Sequence, residues 1–145
     1  RDPADLKDYL ADSVFLPYLN NEKDHPKSAM NKERFTKLNG VMMDEFSEIG
    51  VEKVIQEARQ VVGNSPTYLT FDVDGIDPVF TPGTGTPEVG GLTSVESLRL
   101  LRGLRHLNFV GGDVVEVSPP FDSSGGTAFL GASILFEILC VLLSP

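Results

Sequence analysis

Residues 68–92, YLTFDVDGIDPVFTPGTGTPEVGGL, are the stretch that decides the fold. The apolar, β-branched and aromatic beginning predicts a buried strand over residues 67–73. Asp72 and Asp74 stand at the carboxyl end of that strand, and an extended chain places residues two apart on one face. Two carboxylates at the end of an apolar strand repel each other and resist desolvation, so they need a compensating cation. A bound metal ion is the simplest such cation.

The sequence around this stretch alternates between helical and strand patterns. A strand, helix, strand, helix order implies an α/β fold with a parallel sheet, in which ligands gather at the carboxyl ends of the strands. Glu116 ends the second strand, so Asp72, Asp74 and Glu116 are expected to converge on one rim. The predicted elements are a short strand at 40–43, a helix at 48–62, a helix starting with the capping box 93–96, a strand at 108–117 and an apolar helix at 127–142.

The beginning of the chain is the least patterned part. Residues 1–12 predict a short helix, and residues 13–37 contain two prolines, mixed charge and no sustained period, which predicts a surface loop or insertion. With 145 residues and 41% hydrophobic content, the chain has the size of one domain or part of one. The first ten residues have the pattern of neither a secretory signal nor a transit peptide.

The charge and the cysteine count limit the partners. A formal net charge of −9 argues against nucleic acid or an anionic membrane surface and suits a cationic ligand. The apolar helix is shorter than the roughly 20 residues that cross a bilayer, which predicts a buried helix in a soluble protein. Cys140 is the only cysteine, so no internal disulfide framework can form, and its apolar neighbours predict a buried thiol.

Other motifs fit the chain less well. An EF-hand loop needs its glycine at the sixth position, whereas Gly75 falls fourth, and Glu88 stands where a dinucleotide fingerprint needs its third glycine. No G-x-S-x-G occurs, and His25 and His106 are expected at the surface. Two readings stay open at this point: Glu116 could form a salt bridge with Arg99, Arg102 or Arg105, and Asp72-Val73-Asp74 could serve a metal-dependent glycosyltransferase.

Three segments resemble one known family. TYLTFDVDGIDPVFTPGTGTPEVGGLTSVE, NFVGGDVVEVSPPFD and TAFLGASILFEILCVL are similar to the C-terminal part of the ureohydrolases, the family of arginases and agmatinases, and the agmatinase-like branch is the nearest match. The resemblance runs from about residue 39 to residue 143. It implies that residues 1–145 are the C-terminal part of a single three-layer α/β/α domain around a parallel sheet.

The resemblance also implies a reaction and a set of site residues. Ureohydrolases use two manganese ions to hydrolyse a guanidino group, as in agmatine or a guanidino acid, to an amine and urea by breaking a linear C–N bond. By matching position, Asp72 would bridge the two ions and Asp74 would ligate one. Glu116 would lie near the substrate guanidinium, Thr86 would line the pocket close to the reacting carbon, and Asp77 would orient the ligands without touching the metal.

The chemistry of these residues is compatible with the resemblance. Hard carboxylate oxygens favour manganese or magnesium over softer metals, and an acidic rim suits a small cationic guanidino substrate, whose donors pair with carboxylates. Family members are commonly homo-oligomers, and the compartment, cytoplasmic or mitochondrial, is left open by the sequence.

The sequence departs from the family in its ligand set. The histidine of a Gly-Gly-Asp-His segment and an Asp-x-His-x-Asp cluster are absent from these 145 residues. Because two aspartates cannot fill the coordination of two ions, an alternative hypothesis is an inactive fragment or degenerate paralogue that acts as a binding or assembly module.

Overall fold

The computed structural model describes residues 41–144. The segments 1–12 and 13–37 and the residue His25 lie outside this range, so the predictions made for them stay predictions. The helices are α1 (Met43–Ile49), α2 (Val51–Val62), α3 (Ser94–Gly103) and α4 (Gly126–Leu142), and the strands are β1 (Thr67–Asp72) and β2 (Phe109–Val115). Short 3₁₀ turns at Val73–Gly75 and Pro119–Phe121 follow the two strands.

The two strands form a parallel pair, which confirms the predicted α/β class. Tyr68 lies opposite Gly111 and Asp72 opposite Val115, with α3 in the connection between the strands. Both strands therefore end at the same edge, and the residues that follow them share one rim.

Helices cover one face of this sheet. Phe71 of β1 packs with Ile134 and Ile138 of α4, and Val114 of β2 lies against the same cluster. Tyr68 and Thr70 point to the opposite face and are exposed. Within residues 41–144 the chain thus supplies the sheet and the helices of one side of the predicted three-layer arrangement.

A second apolar cluster lies between the helices. It includes Val54 and Ile55 of α2 and Leu100 of α3. Gly103 permits the close packing of these two helices, because a Cβ atom there would lie 2.8 Å from Cγ1 of Ile55. The close packing of α2 against α3 thus depends on a small residue at this contact.

Several predicted boundaries and helix faces are wrong. The predicted strand at 40–43 does not form at its described positions, since α1 begins at Met43. The predicted helix over 48–62 is divided at Gly50, whose φ of 78° lies in the region that glycine adopts readily and ends α1. Val61 and Val95, whose apolar side chains recur at helical spacing in the sequence and therefore predict buried positions, are exposed.

The last helix is buried on one side only. Thr127, Ile134 and Ile138 are buried, whereas Phe129, Phe136 and Leu139 are exposed, so within the described part of the chain the predicted buried helix is buried on one face only. Cys140 is half-buried rather than fully buried. None of the described helices is long and apolar enough to cross a membrane.

The predicted capping box of α3 gives a stability test. The Thr93 hydroxyl accepts from the Glu96 N–H at 3.2 Å, and the Glu96 carboxylate accepts from the Thr93 N–H at 2.8 Å. We expect Thr93→Ala to lower the free energy of unfolding by about 1 kcal/mol, because the first turn loses its cap. Urea unfolding measures the change. Thr93→Ser, which keeps the hydroxyl, is the matched control, and an equal loss in both variants would contradict this role of the hydroxyl.

Candidate active site

The rim of the sheet begins with a tight turn at the end of β1. The strand ends at Asp72, and Val73–Gly75 form a 3₁₀ turn in which the Asp74 N–H donates to Oδ1 of Asp72 at 2.8 Å. The expectation that Asp72 and Asp74 both belong to an extended strand is therefore wrong, because Asp74 already lies in the turn. The buried Thr81 hydroxyl fixes this turn by donating to the carbonyls of Val73, at 3.2 Å, and Ile76, at 3.1 Å.

Asp74 is a buried carboxylate that is only partly satisfied. Its residue exposure is 3%, its Oδ2 accepts a hydrogen bond from the Thr86 hydroxyl, and its Oδ1 is buried with no hydrogen-bond partner. Buried polar atoms in folded proteins nearly always have a partner, so a lone carboxylate oxygen indicates a missing donor or cation.

The electrostatics of Asp72 point in the same direction. Burial raises the pKa of the Asp72 carboxyl; the hydrogen bond from the Asp74 N–H lowers it; and the nearby Asp74 and Glu116 carboxylates raise it again, with a net increase. The three carboxylates predicted to converge are thus close enough to interact. Accumulated negative charge of this kind is relieved by a bound cation.

Glu116 follows β2 and presents an exposed side chain at this rim. Its backbone φ of 65° is uncommon for a residue other than glycine, and its carbonyl accepts from the buried Thr84 hydroxyl at 2.9 Å. The salt-bridge reading finds no support. Among the three arginines considered, Arg99 pairs with Glu52 at 3.2 Å and Arg102 with Glu137, and the structure records no ion pair between Arg105 and Glu116.

Asp77 holds the long loop that follows the turn. Its Oδ1 accepts from the Val79 N–H and its Oδ2 from the Gly90 N–H, both at 2.9 Å. These two hydrogen bonds lower the pKa of the Asp77 carboxyl. Both oxygens of Asp77 are used by the loop, so its described hydrogen bonds hold the loop backbone at Val79 and Gly90 rather than the carboxylates of Asp72 or Asp74.

The donor set fits a hard divalent cation in part. Asp74 offers an unpartnered buried oxygen and Asp72 a second carboxylate beside it, and such oxygen ligands suit manganese or magnesium. Within residues 41–144, however, no group of three or more histidine, cysteine, aspartate or glutamate side chains could hold a metal ion. The described residues therefore supply part of a ligand set.

Sequence reasoning missed three residues that build this site. Thr81 fixes the turn, Thr84 holds Glu116, and Asp122 accepts from the N–H groups of Thr127, at 3.2 Å, and Ala128, at 2.8 Å, at the start of α4. The two threonines belong to the TPGTGTP segment. Repeated hydroxyl groups in a loop with little apolar content were the signal in the sequence that could have pointed to a structural role for them. His106 is exposed, as predicted.

Comparisons with known proteins agree with this architecture. The model of the arginase family matches residues 23–141. A guanidinopropionase of Pseudomonas aeruginosa is 61% identical over 102 residues, which are 70% of this chain and 32% of that protein. The crystal structure of a hypothetical agmatinase from Burkholderia thailandensis superposes with a TM-score of 0.77 at 35% identity, over 92% of this chain and 39% of that one.

A further solved structure extends the similarity within the same group. The proclavaminate amidino hydrolase of Streptomyces clavuligerus superposes with a TM-score of 0.76 at 37% identity, over 89% of this chain and 41% of that one. The fold and the rim define an α/β protein with the architecture of the arginase family. The chain belongs to the arginase family, with agmatinase-like relatives, and it spans about a third of the length of the curated relatives it matches.

The lowered pKa of Asp77 predicts a pH-dependent contribution to stability. Because the pKa is lower in the folded state than the ordinary aspartate value of 3.8, the charged carboxylate stabilises the fold above pH 3.8, and this contribution is lost as the pH falls through the folded-state pKa. We expect Asp77→Asn to be less stable than the wild type at pH 7 and the difference to shrink below pH 3.8. Urea unfolding across pH measures it. A difference that is independent of pH would contradict a role for the charge.

Proposed function

We propose that the protein carrying this chain hydrolyses the guanidino group of a small cationic substrate, agmatine or a guanidino acid, to an amine and urea with manganese as cofactor. The single observation that carries the proposal is the buried Asp74 oxygen without a partner, beside an Asp72 carboxyl whose pKa is raised by burial and neighbouring negative charge. A divalent cation would satisfy the first and relieve the second.

Asp72 and Asp74 are the proposed manganese ligands of this chain. Asp72 and Asp74 would hold the ions together with further ligands from outside the described residues. When bound, the ions supply Lewis acidity, which lowers the pKa of water enough to give a nucleophile near neutral pH. The turn Val73–Gly75 orients the Asp72 carboxylate through the Asp74 N–H, so the two ligands are held by one backbone segment.

Glu116 and Thr86 are the proposed substrate contacts. The Glu116 carboxylate is exposed at the rim and suits a guanidinium, whose planar fork of donors pairs with a carboxylate. The Thr86 hydroxyl donates to Asp74, which leaves its lone pairs to accept from a substrate N–H. In the reaction the oxygen of water bonds to the guanidinium carbon and the bond from that carbon to the substituted nitrogen breaks. This nitrogen takes both protons of the water and leaves as the protonated amine, so a guanidinium and one water give urea and an ammonium group.

An inert binding or assembly module is the second candidate. It is favoured by the finding that residues 41–144 contain no cluster of three or more potential metal-ligating side chains. Elemental analysis of the purified 145-residue chain after manganese soaking separates the candidates. Two bound ions with urea release would exclude the inert module, whereas a full-length protein that neither binds manganese nor releases urea would exclude the enzyme. Assembly into a homo-oligomer and the cellular compartment stay predictions.

Removing either proposed ligand charge tests the enzyme. In the full-length protein we expect Asp72→Asn and Asp74→Asn each to reduce manganese content and to lower the rate of urea release roughly a thousandfold, because Lewis-acid stabilisation is worth several kcal/mol. Glu57→Gln is the matched control, since Glu57 lies on α2 and pairs with Lys53 at 3.7 Å on the surface. Wild-type urea release by Asp72→Asn or Asp74→Asn would contradict the assignment.

A further inference from the structure

Glu116 has a backbone conformation that is unfavourable for a residue with a Cβ atom. Its φ is 65°, in the left-handed region that residues with a Cβ atom rarely adopt, and it lies immediately after β2 ends at Val115. Such conformations persist when the surrounding structure fixes them, and they cluster at functional sites. The contacts that fix Glu116 therefore bear directly on where its carboxylate points.

Two consecutive loop residues hold the backbone at Glu116 and just after it. The Thr84 hydroxyl donates to the Glu116 carbonyl at 2.9 Å, and the Ser118 N–H donates to the Gly83 carbonyl at 2.8 Å. Thr84 is 3% exposed, so its hydroxyl has no access to water as an alternative partner. The Thr84 hydrogen bond consequently acts on the peptide unit that sets the direction of Glu116.

The loop residues are themselves anchored to the start of α4. The Gly83 N–H donates to the buried Thr127 hydroxyl at 2.8 Å, and the Asp122 carboxylate accepts from the Thr127 N–H at 3.2 Å. Gly83 has no room for a side chain, because a Cβ atom would lie 2.8 Å from Cα of Asp122. Three residues after Gly83, Thr86 donates to Asp74, so one anchored loop reaches both Glu116 and the carboxylate turn.

We propose that Thr84 is a positioning residue for Glu116: its hydroxyl holds the Glu116 backbone in the left-handed conformation that presents the carboxylate to the substrate guanidinium at the rim. This inference rests on the proposed function, because Thr84 can position Glu116 for a guanidinium only if the protein binds such a substrate. The role assigned to Thr84 is in substrate recognition and not in metal binding. The loop thereby sets the relative position of the Thr86 hydroxyl and the Glu116 carboxylate.

The first test removes the hydroxyl while keeping the shape of the side chain. In the full-length, manganese-loaded protein, Thr84→Val is expected to lower kcat/KM for the guanidino substrate roughly tenfold while manganese content stays at the wild-type value. Thr84→Ser is expected to keep most of the activity, because it retains the hydroxyl. If Thr84→Val does not fold, comparison of Thr84→Ser with Thr84→Ala isolates the hydroxyl at a smaller side-chain volume.

The second test asks whether Thr84 acts through Glu116. With Glu116→Gln as the background, Thr84→Val is expected to change kcat/KM by less than about twofold, because the group that it positions has already lost its charge. Ser97→Ala is the matched control: Ser97 is buried and donates to the Thr93 carbonyl at 2.9 Å on α3, so its loss is expected to reduce stability and leave kcat/KM unchanged.

The outcomes separate this inference from the proposed function. A wild-type protein without urea release would overturn the proposed function and this inference with it. An active wild type whose Thr84→Val variant retains full kcat/KM would overturn the positioning role alone. Additive effects of Thr84→Val and Glu116→Gln would also overturn it, as would equal losses in Thr84→Ser and Thr84→Ala.

Discussion

A carboxylate oxygen buried without a hydrogen-bond partner is the constraint on which the rim of this sheet depends. Leaving such a group unsatisfied costs about 1–3 kcal/mol or more when it is charged, so the surrounding chain must hold it in place. Asp74 is held by the 3₁₀ turn after β1 and by the Thr86 hydroxyl. The same turn brings the Asp72 carboxylate beside it, which concentrates negative charge where a cation can bind.

The two ends of the long loop after this turn are hydrogen-bonded to each other. Ile76 and Leu92 form an isolated parallel bridge, with hydrogen bonds of 2.9 Å from the Asp77 N–H to the Leu92 carbonyl and from the Leu92 N–H to the Gly75 carbonyl. Gly91 is needed for this close approach, because a Cβ atom there would lie 2.7 Å from the Asp77 nitrogen. The loop is thus part of the scaffold of the site.

Sequence patterns predicted those parts of the fold that depend on interactions between residues close in the chain and on the order of the strands and helices. The capping box at Thr93 and the parallel pairing of the two strands follow from hydrogen bonding and periodicity that the sequence displays directly. The turn at Asp74 and the left-handed backbone of Glu116 could not be predicted in this way. The first depends on Thr81 and Thr86, and the second on Thr84, which lies 32 residues from Glu116. The exposed side of α4 was missed because an apolar sequence does not say which neighbours cover it.

The most direct measurement is anomalous scattering at the manganese absorption edge from crystals of the full-length protein grown with manganese. We expect two peaks, both within bonding distance of the Asp72 carboxylate and one also bound by the Asp74 oxygen that lacks a partner. A map without a peak at Asp72 and Asp74, from crystals that contain manganese elsewhere, would contradict a metal centre at this rim.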